Sequence, residues 1–224
     1  MTNSKLDGPR IEPATGEPAQ KLVIILHGYG ADGDDLIDLG RAWAGNLPDA
    51  AFVAPDAPEF LPYEAMGGRQ WFPLHERDMR EYRLGAEAVA PGLHRFLDAE
   101  LTRLKLDETA LAIVGFSQGA MMALQIGLRR QKPPAALLAY SGLLTGPDQV
   151  SGIQTASPVL LVHGADDDIV DPHYLATSQG ALENAGALVE SHMLEGLGHS
   201  IDERGMVLGG RFLTKNLGKQ AFAA

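Results

Sequence analysis

A short aliphatic run, Ala110-Leu-Ala-Ile-Val-Gly115, passes into Gly115-Phe-Ser-Gln-Gly119 and then at once into Gln118-Gly-Ala-Met-Met-Ala-Leu-Gln-Ile-Gly-Leu128. The run predicts a buried strand, and the stretch behind it, with small residues in its first turn, predicts a helix. Strand, Gly-x-Ser-x-Gly and helix in direct succession leave the chain few options. The turn must be tight enough to strain the backbone of Ser117 and point its hydroxyl outward. Gly115 and Gly119 then stand where a Cβ would collide with a neighbouring strand or helix. The free N–H groups of the helix N-terminus lie under the serine and favour negative charge developing there. In a chain with 26 glycines among 224 residues the pattern alone is weak, and a glycine-rich turn carrying a surface serine is the plain alternative. The surrounding strand and helix argue against that alternative, and the serine's partners must decide.

The rest of the chain alternates in the same way. Residues 1–20, with Gly8, Pro9, Pro13, Gly16 and Pro18, read as an irregular lead-in. Lys21-Leu-Val-Ile-Ile-Leu26 predicts a strand buried on both faces of a parallel sheet. A glycine-rich loop, His27 to Gly33, follows, then a helix from Asp34 to Leu47 closed by Pro48. Residues 51–54 form the next strand. Residues 55–80, rich in Pro, Gly and aromatics around Trp71-Phe72-Pro73, predict a long surface excursion, which in a compact domain is commonly functional. Helical spacing returns from Leu84 to Leu104, with a kink near Pro91. Beyond the central helix come strands at 135–140 and 158–163 and a helix opened by Asp171-Pro172 and stopped by Gly186. A last strand at 188–194, a loop at 196–199 and a C-terminal helix weakened by Gly209-Gly210 complete the chain. Strands separated repeatedly by helices imply parallel crossovers and a doubly covered sheet. No linker divides the chain, so the expectation is one α/β domain over residues 1–224, with ligands at the carboxyl ends of the strands.

Charge and cysteine content narrow the function classes. A net charge of −11 argues against nucleic acid, which demands a basic face, and against electrostatic anchoring to an anionic membrane. The absence of cysteine excludes disulfides, thiolate metal sites and a cysteine nucleophile, and suits a reducing cytoplasm. The N-terminal residues hold no apolar signal-peptide core, and no run approaches a transmembrane span.

A serine hydroxyl needs a base, and the base needs an orienting carboxylate. In a strand–Ser–helix fold the chain order is Ser, then Asp or Glu, then His. His173 falls in the first turn of a helix and reads as surface, and His192 falls inside a strand. His199 sits in a glycine-flanked loop past the last strand and is the expected base. The loop after His163 offers Asp166, Asp167, Asp168 and Asp171, of which Asp171 is taken by the helix N-cap. The residue pattern does not choose among the other three. An oxyanion needs two converging N–H donors. The backbone N–H of Gln118 is one, and the loop His27-Gly28-Tyr29-Gly30 is placed to supply the other. His27 itself reads as a brace for that loop.

Four stretches now carry a resemblance: Leu26-His-Gly-Tyr-Gly-Ala-Asp-Gly33, Gly115-Phe-Ser-Gln-Gly-Ala-Met122, His163-Gly-Ala-Asp-Asp-Asp-Ile-Val170 and Gly198-His199. In this order they resemble the small carboxylesterases of the α/β-hydrolase fold, a group that includes acyl-protein thioesterases and lysophospholipase-like enzymes. The resemblance runs from about residue 20 to the end. The family's acid is the fifth residue of a His-Gly-x-x-Asp pattern, which falls on Asp167, with Asp168 as the fallback. Its second oxyanion donor follows the His-Gly pair, which falls on Tyr29, where family members often carry Leu. Trp71-Phe72 resembles a Trp-Phe of the family's substrate-side loop, with Pro73 where an Asp is common, and simple core packing is the equal alternative for this pair. Larger relatives insert a lid after the strand at 135–140, whereas only Ser141 to Ser157 intervenes here. The resemblance therefore implies an open apolar groove lined by Trp71, Phe72, Met122, Leu143 and Leu144.

The resulting expectation is a serine esterase acting on short- to medium-chain carboxylic esters through Ser117, His199 and Asp167, with thioesters and lysophospholipids as close alternatives. A non-catalytic ligand-binding homologue is the rival from another class. No metal or cofactor is implied. The expected partner is a small ester or thioester, with no nucleic acid and no stable membrane insertion, and the chain is expected to be a monomer or homodimer.

Overall fold

The computed structural model describes residues 6–61, 67–148, 150, 153, 154 and 156–218. In chain order its strands are β1 (Arg10–Ile11), β2 (Lys21–Leu26), β3 (Ala50–Val53), β4 (Glu59–Phe60), β5 (Arg69–Gln70), β6 (Leu111–Phe116), β7 (Ala136–Tyr140), β8 (Val159–Gly164) and β9 (Val189–Leu194). Its helices are α1 (Gly33–Trp43), α2 (Met79–Leu104), α3 (Gln118–Gly127), α4 (His173–Asn184) and α5 (Glu203–Leu217). The aliphatic runs build a seven-stranded sheet in the order β1-β3-β2-β6-β7-β8-β9, and β4 pairs with β5 in a separate hairpin. Every pairing in the large sheet is parallel except that of β1 with β3.

Each central strand feeds two cores because successive side chains point to opposite faces. Leu22, Ile24, Leu111, Ile113, Leu137 and Leu161 face α2, α3 and α4. Val23, Ile25, Ala112, Val114, Leu138 and Val162 face α1 and α5. Both faces are thus covered, which explains why these strands read as unbroken apolar runs. Among the described residues no large lid interrupts this mostly parallel sheet.

Several expectations change in detail. The lead-in carries β1, whose Ile11 pairs with Phe52, and its residues 1–5 lie outside the described residues. Helix α1 stops at Trp43, and the chain turns so that Leu47 still enters the core. Helix α2 starts at Met79, capped by the Asp78 carboxylate on the Glu81 N–H, and Pro91 lies within it. The excursion at 55–80 contains the β4–β5 hairpin and then dives inward, burying Trp71 and Phe72; its residues 62–66 lie outside the described residues. The same holds for 149, 151, 152 and 155 in the β7–β8 connection and for 219–224 after α5. Gly209 and Gly210 do not interrupt α5. A Cβ on Gly209 would fall 2.0 Å from the Tyr140 hydroxyl, and one on Gly210 3.0 Å from the Trp43 ring, so these glycines let the helix lie close to its neighbours.

Candidate active site

Ser117 sits between the end of β6 and the start of α3 with φ 55° and ψ −118°. A positive φ on a side chain with a Cβ is strained, and here tertiary contacts hold it. The Ser117 N–H donates to the Tyr140 carbonyl at 2.9 Å, and the Ser117 carbonyl accepts from Ala120 and Met121. Both flanking glycines are required by close approach. A Cβ on Gly115 would meet the Gly119 carbonyl oxygen at 2.1 Å, and one on Gly119 would meet the Leu26 carbonyl oxygen at 2.0 Å.

The three expected polar side chains come from three strand ends and line up in series. Ser117 Oγ lies 2.9 Å from His199 Nε2, and His199 Nδ1 lies 2.8 Å from Asp167 Oδ2. The carboxylate accepts only, so Nδ1 carries a proton and Nε2 is free to accept from the serine hydroxyl. Asp167 is buried while Asp166 and Asp168 are exposed. Its Oδ1 accepts the N–H groups of Ile169 at 3.0 Å and Val170 at 2.9 Å. Burial pushes the Asp167 carboxyl up, but the bonds from His199, Val170 and Ile169 outweigh it, and the group rests below the usual carboxylate range. The Phe116 ring packs 4.9 Å from the His199 ring and limits its swing. The N-cap of α4, expected at Asp171, falls on Pro172; Asp171 precedes it and accepts the His173 N–H, and His173 is exposed.

The loop after β2 reaches the serine. A Cβ on Gly28 would stand 3.3 Å from the Ser117 Cβ, so the residue before Tyr29 lies beside the nucleophile. Among the described residues neither the Tyr29 nor the Gln118 backbone N–H has an acceptor. His27 is buried, and its Nε2 accepts the Ala57 N–H at 2.9 Å, so the ring is the Nδ1–H tautomer and donates to the Gly28 carbonyl at 2.8 Å. Burial holds this imidazole below its ordinary range.

The five side chains expected to line an open groove are shielded from solvent. Trp71, Phe72, Met122, Leu143 and Leu144 are all buried in the core shared with α2, α3 and α4. Burial of these large apolar surfaces is favourable, and the indole N–H of Trp71 keeps a partner in the His27 carbonyl. A cavity of about 670 Å³ does occur between α1 and α5, lined by Trp43, Met206 and Val207, and it includes none of Ser117, Asp167 and His199. Two contacts were not anticipated. His163 Nε2 donates to the Val170 carbonyl at 2.9 Å and lies 3.1 Å from Asp167 Oδ2. The Gln118 side chain binds the backbone at Trp71 and Phe72. The four-residue step from His163 to Asp167 was a readable signal for the first, and nothing local announced the second.

A serine on a strained strand-to-helix turn, with an imidazole and then a buried carboxylate behind it, is the arrangement by which α/β-hydrolases open acyl bonds, and this chain is a serine hydrolase of that class. Comparison with known proteins narrows the class. The phospholipase/carboxylesterase family model matches residues 7–217, and the chain belongs to that family. It is 30% identical over 192 residues to esterase YpfH of Escherichia coli strain K12, covering 85% of this chain and 80% of that protein. It is 31% identical over 209 residues to acyl-protein thioesterase 1 of Schizosaccharomyces pombe, covering 88% of this chain and 91% of the relative. Among solved structures, esterase PE8 superposes with a TM-score of 0.91 at 40% identity, covering 96% of this chain and all of that one (100%).

Proposed function

We propose that the chain is a carboxylesterase that cleaves short- to medium-chain carboxylic esters through Ser117, His199 and Asp167. The observation that carries the reading is the unbroken series from the Ser117 hydroxyl through the His199 ring to the Asp167 carboxylate, at 2.9 and 2.8 Å. Ser117 Oγ attacks the ester carbonyl carbon as its proton passes to His199 Nε2. Asp167 holds the ring in the tautomer that can accept that proton and stabilises the imidazolium. The carbonyl oxygen, now negative, is received by the N–H groups of Tyr29 and Gln118, both free of acceptors among the described residues. His199 returns the proton to the leaving alcohol. Water, deprotonated by the same histidine, then attacks the acyl-enzyme and releases the acid and Ser117.

Selection among chain lengths is shallow in this reading, since each methylene held in an apolar site discriminates by only about 1–3 kcal/mol. The absence of cysteine and the net charge of −11 support a cytoplasmic protein acting on small molecules rather than nucleic acid. The likeness to a yeast acyl-protein thioesterase supports a second reading, in which the same groups cleave thioesters.

The test is hydrolysis of a chain-length series of aryl esters beside matched acyl thioesters, with Ser117→Ala in parallel. A peak at short oxygen esters that disappears in the variant is expected. A preference for long thioesters would favour the second reading. Full activity in Ser117→Ala would overturn both.

A further inference from the structure

The two N–H groups assigned to the oxyanion belong to separate elements: Tyr29 to the loop after β2, Gln118 to the first turn of α3. Their separation must be held while charge develops, because such donors act through preorganisation. One segment, Arg69 to Phe72, is bonded to both sides. On the loop side, the Arg69 carbonyl accepts the Gly30 N–H at 2.8 Å, the Arg69 N–H donates to the Ala31 carbonyl at 3.0 Å, and the Trp71 indole N–H donates to the His27 carbonyl at 2.8 Å. On the helix side, the Trp71 N–H donates to Gln118 Oε1 at 2.9 Å, and Gln118 Nε2 donates to the Phe72 carbonyl at 2.7 Å.

This crosspiece is dry. Trp71, Phe72 and Gln118 are each at most 1% exposed. Hydrogen bonds in such a place meet little competition from water, and leaving one partner unpaired is costly. The Gln118 amide satisfies a backbone donor and a backbone acceptor at once, which neither a carboxylate nor an aliphatic side chain can do. The His27 carbonyl that receives the indole lies two residues before Tyr29, and the His27 ring, 5.3 Å from the Trp71 ring, braces the following Gly28 carbonyl.

We propose that Trp71 and the side chain of Gln118 are positioning residues that fix the distance between the two oxyanion donors, although neither side chain touches the reacting atoms. The inference rests on the esterase reading above and deepens it. It also gives Trp71 a task other than substrate contact.

The experiment compares wild type with Gln118→Ala, which keeps the backbone N–H but cuts both ties to the crosspiece, and Trp71→Phe, which removes the indole N–H while keeping a ring. Functional sites are counted with a serine-reactive phosphonate, and kcat and KM for an aryl ester are expressed per labelled site. The inhibition constant of an aryl boronic acid, which forms a tetrahedral adduct with the serine, is measured beside them. A displacement of about 1 Å at such a site costs on the order of 100-fold, so kcat per site is expected to fall about 10- to 100-fold in each variant with KM little changed. Boronate affinity is expected to fall in step. Wild-type kcat per labelled site with a lowered melting temperature or fewer labelled sites would overturn the proposal, because it would make both residues structural only. If one variant does not fold, the other decides by the same criteria. Failure of the esterase reading looks different: wild type itself would neither turn over ester nor take up phosphonate at Ser117.

Discussion

Asp167 meets His199 through one carboxylate oxygen only: Oδ2 lies 2.8 Å from Nδ1, while Oδ1 is occupied by the N–H groups of Ile169 and Val170. The carboxylate therefore cannot rotate without breaking backbone bonds. His163 closes the remaining side, its Nε2 3.1 Å from the same Oδ2. An amide at this position would present either an NH₂ to Nδ1, forcing the wrong tautomer, or an NH₂ to two backbone donors. Asp167→Asn is expected to lower kcat by about 10³- to 10⁴-fold at neutral pH. Asp168→Asn, on an exposed side chain beside it, is expected to leave kcat/KM close to wild type. Steady-state kinetics of the two variants decide, and the reverse order would remove Asp167 from the proposed series.

The strained backbone of Ser117 predicts an uncoupling of stability from activity. At φ 55° any residue with a Cβ is disfavoured, whereas glycine is at ease. Ser117→Gly is expected to be more stable than Ser117→Ala by about 1 kcal/mol, although both lack the nucleophile. Denaturant midpoints of the two variants provide the comparison, and equal midpoints would show that the turn stores no strain.

Gly119 allows no such freedom. A Cβ there would lie 2.0 Å from the Leu26 carbonyl oxygen, a backbone atom on a central strand that cannot move aside alone. Gly119→Ala is expected to cost at least about 1–3 kcal/mol and to displace the loop that follows Leu26. Loss of phosphonate labelling together with a lowered melting temperature is the expected result, and a variant with unchanged melting and labelling would contradict the packing described for the elbow.

His27 sets a pH dependence whose sign can be worked out. Burial holds its imidazole below the ordinary value, against the opposing pull of the Gly28 carbonyl and the carboxylates of Asp56, Asp32 and Asp35. The unfolded chain takes up a proton near pH 6.5, whereas the folded chain does not. The stability conferred by neutral His27 is thus fully present above about pH 6.5 and is lost as pH falls from there toward its lower folded value, by at most about 1.4 kcal/mol per pH unit. A proton on Nε2 would also face the Ala57 N–H that now donates to it. His27→Gln is expected to be less stable than wild type at pH 7.5, yet to lose less between pH 7.5 and 5.5. Parallel losses in the two proteins would mean that His27 does not control this window.

The parts of the fold that could be read from the sequence are those where one residue pattern answers one local demand. Residues 22–26 of β2 and 111–114 of β6 are aliphatic without interruption because both faces of the sheet are covered. Gly115 and Gly119 are glycine because a carbonyl oxygen stands where each Cβ would be. Met79 to Arg83 escaped notice as the start of α2 because it carries no apolar period and depends on the Asp78 cap. Strand β1 escaped because two residues among prolines carry no pattern of their own, and their partner, β3, lies some forty positions on. Within the candidate site, the residues Ser117, His199 and Asp167 were named from chain order and resemblance. Residue pattern alone could not separate Asp167 from Asp168, since the difference is the direction in which Oδ1 finds two backbone N–H groups. Trp71 and Phe72 could be read equally as core or as substrate contacts for a related reason. A stretch rich in proline and glycine looks like surface, and only the bonds to His27 and Gln118 reveal it as interior.

The proposed nucleophile and base are 82 positions apart, and the indole of Trp43 donates to the Met206 carbonyl across 163 positions. On a ribosome the serine is therefore made long before the histidine, and α1 waits for α5 before its inner face is covered. Until the final quarter of the chain has been released and docked, the turn at Ser117 can exist but nothing can draw its proton. In a refolding experiment the return of turnover would therefore report the closing of the 82-residue separation between Ser117 and His199, an event distinct from the docking of α5 on α1.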